Sequence, residues 1–412
     1  MKPLRNPFFY AVISSLSVAA SSLANGQVPT PPTNSVVVMT GQKLSPFTFA
    51  SFGNPSITNN GTIIFRTTVE RRGQQVVKGM PLERVVRRDM AVPGIAGATF
   101  MLFSDPVLTD EFDVHHGGAS LADRIAFIGV FRGSGITSAN NQAIFSDRSG
   151  TLLPVARKGS GAWAAVPGQT IPGGVWGRFI SVAADGDVVA FTAQMVNGGS
   201  INSGNDFGLW MSNLLGGVAT NRLLLREGAV IQVNGARVIR SFQVLRVNSL
   251  GKGHGFGLTG ARVLARVNFV DRSQALIWVD SDGVITPFAQ TGITDAPGYA
   301  VGSKMKTFGV PSFSRSGYPA FKTGLFVGTG NVTAATKEAI VTGHNGTLQT
   351  IVKSGDAAAG GPVGSLFKKL GDPVMNEWGD VLFSATLGSG GVSRQNDFGL
   401  WLNSFGTNQL FL

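Results

Sequence analysis

The chain has 412 residues, 43% of them apolar and 14% charged, a balance that excludes a disordered polyelectrolyte and can fill a large core. Its 56 glycines lack the every-third-residue spacing of collagen, so they predict many turns between short elements and argue against long helices. Lysine plus arginine exceeds aspartate plus glutamate by 34 − 23 = 11, which favours an acidic partner, and the absence of cysteine leaves stability to packing and strand pairing.

Lys2 and Arg5 precede an apolar stretch over residues 8–18, and Ser22, Leu23 and Ala24 supply a small-x-small site. This pattern reads as an export signal over residues 1–24, cleaved after Ala24. Its loss leaves a net charge of 11 − 2 = +9. No later run is long and apolar enough to span a membrane, so the mature chain is expected to be secreted or held at the cell surface or in the periplasm. Residues 25–35, NGQVPTPPTNS, hold three prolines and no apolar period, the composition of an extended linker.

From residue 36 onward the chain repeats. A phenylalanine near the start of a short apolar segment recurs at Phe65, Phe127, Phe191, Phe256, Phe321 and Phe383, at intervals of 62, 64, 65, 65 and 62. A second apolar segment follows each: QQVV from Gln74, QAIF from Gln142, FGLW from Phe207, ALIW from Ala275, EAIV from Glu338 and FGLW from Phe398. Turn strings such as DRSG from Asp147, DSDG from Asp280 and GHNG from Gly343 come next, where glycine supplies the positive φ of tight hairpins. Behind the turns lie ERVVR from Glu83, LLPVA from Leu152, RLLLR from Arg222, ITPFA from Ile285 and LQTIV from Leu348. A fourth strand is expected in segments such as FGNPSI from Phe52 and GVPSF from Gly309.

Four short strands in each of six repeats of about 64 residues predict an all-β, six-bladed β-propeller over residues 36–412. A solenoid is the competing architecture. VVVM from Val36 and QLFL from Gln409 are further copies of the post-turn strand, so the reading expects the terminal copy to pair at a seam and close the ring.

The strings N-x-x-G-x-x-x-F from Asn376 to Phe383, PSITNNGTIIF from Pro55 and VARKG from Val155 resemble secreted bacterial proteins with tandem NxxGxxAF repeats, a group known for interchangeable C-terminal anchors. The resemblance covers nearly the whole mature chain and implies a secreted repeat protein. It brings no activity with it, and no sorting motif stands before Leu412.

Few residues suggest chemistry. Glu111, Asp113 and His115, with His116 and Asp110 beside them, form the one His-and-acid cluster and the start of any catalytic reading, that of a hydrolase or lyase on extracellular polysaccharide. Adjacent residues of a strand point to opposite faces, and no other His or Cys lies at ligand spacing, so no metal is expected. GKGHGFG from Gly251 falls at a strand position rather than before a helix, and DSDG lacks the distal ligands of a calcium loop, so no cofactor is expected either. There is no G-x-S-x-G elbow. Trp210, Trp278 and Trp401 recur in one register and are expected between blades, whereas Trp163 and Trp176, in a glycine-rich insertion, are candidates for exposed contacts.

Near the end of each post-turn strand the copies carry Met39, Arg87, Arg157, Arg226, Gln290 and Lys353. Arg87, Arg157, Arg226 and Lys353 would form a ring of positive charge around a propeller axis, able to draw an acidic polysaccharide or another extracellular polyanion. Export disfavours nucleic acid as the partner. The favoured function is accordingly a secreted, non-enzymatic binding or scaffold module.

Overall fold

The computed structural model describes residues 38–411 except 45–46, 58–61, 71, 110–122, 162–163, 166–168, 170, 186–187, 216–217, 245–261, 315–317, 345–346, 377–378 and 405. The expected signal peptide and linker lie outside the described residues. Within them the chain is all-β, and no helix is long and apolar enough to cross a membrane.

Short β-branched and aromatic runs separated by glycine turns form six sheets, one to a repeat, each with four principal strands in chain order. The first comprises Phe47–Phe52, Ile63–Val69, Gly73–Lys78 and Glu83–Arg87. The second comprises Ala98–Phe103, Arg124–Gly133, Gln142–Ser146 and Leu153–Arg157. The third runs Val175–Asp185, Val188–Val196, Phe207–Leu215 and Val218–Arg226, and the fourth Ala236–Val244, Arg262–Phe269, Gln274–Asp280 and Ile285–Gln290. The fifth holds Met305–Phe308, Pro319–Leu325, Glu338–His344 and Thr347–Lys353. The sixth holds Leu366–Leu370, Val381–Gly388, Phe398–Ser404 and Thr407–Leu410. These strands pair antiparallel; the two-residue strand Ala164–Ala165 alone adds in parallel, to Val218–Arg226.

The second-strand phenylalanines hold the expected register in five sheets. Phe65, Phe127, Phe191, Phe321 and Phe383 are buried and stand opposite Val77, Phe145, Trp210, Val341 and Trp401. Phe256 lies outside the described residues, and the fourth sheet fills this register with Ala265, opposite Ile277 and next but one to the Val267–Phe242 pair. That displacement also corrects Trp278. It stands one residue beyond Ile277, and a one-residue step reverses the face, so it packs against Phe313 and under Arg262 instead of taking the place of Trp210 and Trp401.

The first strand of each sheet lies mainly upstream of the segments expected to hold it. In FGNPS from Phe52, FSDPV from Phe103, FGVPS from Phe308 and LGDPV from Leu370, a proline without an N–H interrupts the ladder. Only a short strand resumes beyond it, such as Ser56–Ile57 or Ser312–Phe313. The third and fourth sheets lack this proline; the first strand of the third continues unbroken through the same stretch, and that of the fourth runs to Val244, where the described residues stop.

Consecutive sheets pack face to face, so the second to fifth each lie between the sheet before and the sheet after. Ile64, Val76 and Val86 of the first sheet share a core with Phe100, Phe127 and Phe145 of the second. Ala320, Ile340 and Val352 of the fifth share one with Phe367, Phe383 and Trp401 of the sixth. The expected seam pairing is not seen: Thr407–Leu410 completes the sixth sheet on Phe398–Ser404, while Val38 joins the core of the first sheet and residues 38–42 form a turn, not a strand.

Candidate functional site

One local device leads into the first strand of every sheet. The chain turns through Gly41 ahead of the first sheet and, after the fourth strand of the sheet before, through Asp89, Gly159, Gly228, Gly292 or Gly355, all with φ between +65° and +89°. That N–H donates to the carbonyl of a buried residue on the next first strand: Phe49, Phe100, Trp176, Ile239, Met305 or Phe367, at 2.7–2.8 Å. The N–H of the same buried residue donates back to Gln42, Met90, Ser160, Ala229, Thr294 or Asp356, at 2.9–3.0 Å. Left-handed backbone is cheapest for glycine, and a short polar residue such as Asp89 also adopts it.

The four sequence-predicted cations stand at equivalent positions just before this joint, all half-buried. The heads of Arg157, Arg226 and Lys353 are engaged within their own repeats. Arg157 Nε donates to the Asn140 carbonyl at 3.2 Å, and its guanidinium lies 5.6 Å from the Phe131 ring centre. Arg226 donates to the carbonyls of Gln169 and Glu227, both at 3.2 Å, and burial holds its guanidinium below the usual arginine range. Lys353 Nζ donates to the Gly298 carbonyl at 3.3 Å and sits 5.0 Å from the Tyr299 ring centre. Arg87 is opposite Gln75 in the ladder, and the fourth copy, Gln290, is buried against Asn234. These contacts make Arg157, Arg226 and Lys353 fasteners beside the joint, since an amphipathic side chain packs its stem while its head bonds nearby carbonyls.

The neighbouring Glu227 is pushed up to about 7, chiefly by burial and secondarily by Asp206. The catalytic candidates Glu111, Asp113 and His115 lie outside the described residues, as does Trp163. Trp176 is not an exposed contact residue: it is buried at the joint position of the third sheet, packed on Phe179, Phe191 and Trp210. Among the described residues no group of three His, Asp or Glu side chains is placed to hold a metal ion.

A second set of cations was not anticipated. Directly after the buried joint residue, every first strand carries a β-bulge: the register shifts between Phe49 and Ser51, Phe100 and Leu102, Trp176 and Arg178, Ile239 and Ser241, Met305 and Thr307, and Phe367 and Lys369. A bulge leaves one residue without a cross-strand partner and re-aims its neighbours. Two apolar residues, both buried in every sheet but the first, where Phe52 is half-buried, thus flank two bulge positions, and the sequence shows the motif plainly: FASF, FMLF, WGRF, IRSF, MKTF and FKKL. The intervening positions of the last four sheets hold Arg178, Arg240, Lys306, Lys368 and Lys369, all exposed, and no intervening position in any sheet holds an acid. The nearest acids in the fifth sheet are paired elsewhere, Asp295 with Lys304 at 2.8 Å and Glu338 with Lys322 at 3.1 Å.

Residues 33–274 and 124–411 match the model of a family described as a family of unknown function, DUF7453. The chain belongs to this family. Curated proteins give no match. Among solved structures, Pyrococcus horikoshii acylaminoacyl peptidase aligns over 88% of this chain and 45% of its own at 10% identity and a TM-score of 0.35. The Aleuria aurantia lectin, crystallised with a fucosyl disaccharide, aligns over 87% and 93% at 8% identity and a TM-score of 0.30. The Trypanosoma rangeli sialidase aligns over 73% and 46% at 11% identity and a TM-score of 0.30. At such identities and scores the likeness says nothing of this chain's ligand or chemistry.

Proposed function

We propose that the protein is an exported six-bladed β-propeller that serves as a non-enzymatic binding module for an acidic extracellular polymer. One observation carries the binding reading. The features that recur between repeats are buried residues and hydrogen-bonded turns of the joint, whereas the exposed bulge positions collect positive charge without any acid. An array of this kind suits attraction of an extended polyanion better than it suits a single reaction centre. The resemblance to secreted NxxGxxAF-repeat proteins supports export, and its motif fits a structural role: Asn376 Oδ1 accepts from the Asp380 N–H at 2.8 Å across the turn before the Phe383 strand.

Closure of the ring is supported by two incompletely covered faces. Leu382 and Leu400 of the sixth sheet are half-buried, whereas their counterparts Ala320 and Ile340 in the fifth and Ile64 and Val76 in the first are fully buried. Phe52 and Ile57 of the first sheet are likewise half-buried, whereas Phe308 and Phe313 are buried. The duplicated NDFGLW string relates the two faces. Phe207 of its first copy packs on Phe242 of the following sheet with ring centres 4.9 Å apart. Phe398 of its second copy is 63% exposed, and the residue equivalent to Phe242 in the sheet that would follow is Phe52. Residues 38–42 add a joint leading into the first sheet, and closure makes the sixth sheet its predecessor.

A short thiol cross-linker applied to the Phe52→Cys/Phe398→Cys variant of this cysteine-free chain tests the ring. Bridging within one chain is expected, and bridging solely between copies would refute closure. The function is tested by incubating the full chain with acidic and neutral extracellular polysaccharides while measuring both bound polymer and released product. Retention of acidic polymer without product is expected, and product release would make the protein an enzyme.

A further inference from the structure

We infer that the bulged first strands of the third to sixth sheets form one continuous site for an acidic polysaccharide, with Arg240, Lys306 and Lys368 as its core. The inference rests on the polyanion-binding reading and locates it away from Arg87, Arg157, Arg226 and Lys353.

Three properties set this row apart from the joint cations. First, the three side chains are equivalent: each is the extra residue of the bulge, flanked by the register pairs Ile239–Phe269 and Ser241–Asn268, Met305–Leu325 and Thr307–Gly324, or Phe367–Leu387 and Lys369–Thr386. Because the buried residue on either side is locked in the core, the backbone carrying each cation is rigid. Second, all three are exposed, Lys306 with its ammonium 5.6 Å from the ring centre of the exposed Phe326, so a ligand reaches them without dismantling the half-buried contacts that occupy Arg157, Arg226 and Lys353. Third, the first strand is an edge of its sheet in the third, fifth and sixth sheets, and in the fourth the added strand Val230–Gln232 pairs only as far as Val238, short of Arg240.

Consecutive sheets pack face to face at roughly 10 Å, close to the Debye length of about 8–10 Å at physiological salt. Neighbouring cations therefore reinforce one another, and a single small anion cannot engage the whole row. The partner that fits is a chain with an anion at regular intervals. Arg178 and Lys369, one position along their bulges, extend the row at its two ends. Carboxylates of uronic acids and sulfate esters share the required chemistry.

The test compares two charge-matched triple variants of the full chain. Arg240→Gln/Lys306→Gln/Lys368→Gln removes the row, and Lys43→Gln/Lys337→Gln/Arg394→Gln removes three exposed cations elsewhere. The probes are polygalacturonate, dextran sulfate, neutral dextran and single-stranded DNA at low and high salt. Exposed ion contacts are individually weak, so three together are expected to change affinity by about tenfold. The row variant should lose about that much for polygalacturonate or dextran sulfate, the control variant much less, and the difference should shrink at high salt. A carboxylate preference would identify a uronate and a sulfate preference a sulfated chain. Equal losses in the two triples would overturn the site while leaving polyanion binding standing, because net charge would then explain both. Tighter binding of DNA than of either acidic polysaccharide would overturn the assigned partner. A wild-type chain that binds none of the acidic probes would overturn the functional reading itself.

Discussion

Replacing Phe321 by alanine removes an aromatic ring that is 0% exposed and lies 5.7 and 5.9 Å from the ring centres of Phe308 and Phe288. An aromatic side chain of this class buries roughly 150–250 Å², which at about 25 cal/mol per Å² gives roughly 4–6 kcal/mol as an upper figure. Measured losses for buried Phe→Ala changes run at about 3–5 kcal/mol, so about 4 kcal/mol is expected here. The cavity would open in the core shared by the fourth and fifth sheets, where Leu276, Met305, Ala339 and Val341 surround it. In urea the slope for a chain of this length exceeds the roughly 1–3 kcal/mol per molar of small proteins, so the midpoint should fall by up to about 1 M. Val363→Ala, at a position 95% exposed, serves as the control and should stay within about 0.5 kcal/mol of the parent. If Phe321→Ala shifted the midpoint no more than this control, the recurring phenylalanines would not be the pillars of the repeat.

The joint glycines separate backbone strain from collision. Gly292→Ala meets no atom within 4 Å but keeps φ at +75°, so it should cost about 1–2 kcal/mol; Gly159→Ala adds a Cβ 2.9 Å from the Ala139 carbonyl oxygen and should cost clearly more, and equal urea midpoints would refute the joint geometry. Glu227 should make stability depend on pH. Its folded value of about 7 lies above the ordinary 4.5, so the folded state holds the proton more firmly and stability should fall as pH rises between those two values. Urea midpoints across that window should show a fall in the parent that Glu227→Gln lessens, and parallel profiles would remove the assignment.

The duplicated strings, the glycine turns and the recurring phenylalanines made the all-β class and the repeat legible, because hydrogen-bonded turns and buried aromatics constrain residue type wherever they occur. The fourth repeat misled for the same reason. Phe256 lies at the expected interval, yet strand pairing puts Ala265 in the register, and spacing along a chain does not reveal which residues stand opposite one another. Trp278 shows how small the difference is, since a single residue transferred it to the other face of its sheet.

The candidate site divides along the same line. That cations recur before the joint, at Arg87, Arg157, Arg226 and Lys353, is written in the sequence, but the engagement of the last three with backbone carbonyls arises only when loops distant in the chain fold over them. The FxxF-like strings around Arg178, Arg240, Lys306 and Lys368 were equally visible, but nothing in them tells a bulge from an ordinary strand. Alternation assigns one of two adjacent residues to each face, and only the bulge, a property of the paired strands, turns both middle positions away from the core. Composition and local pattern thus determined the strands, the turns and the excess of positive charge. Tertiary structure decided which charges are bound up in the fold and which stand exposed, because exposure and pairing depend on neighbours that local sequence does not name.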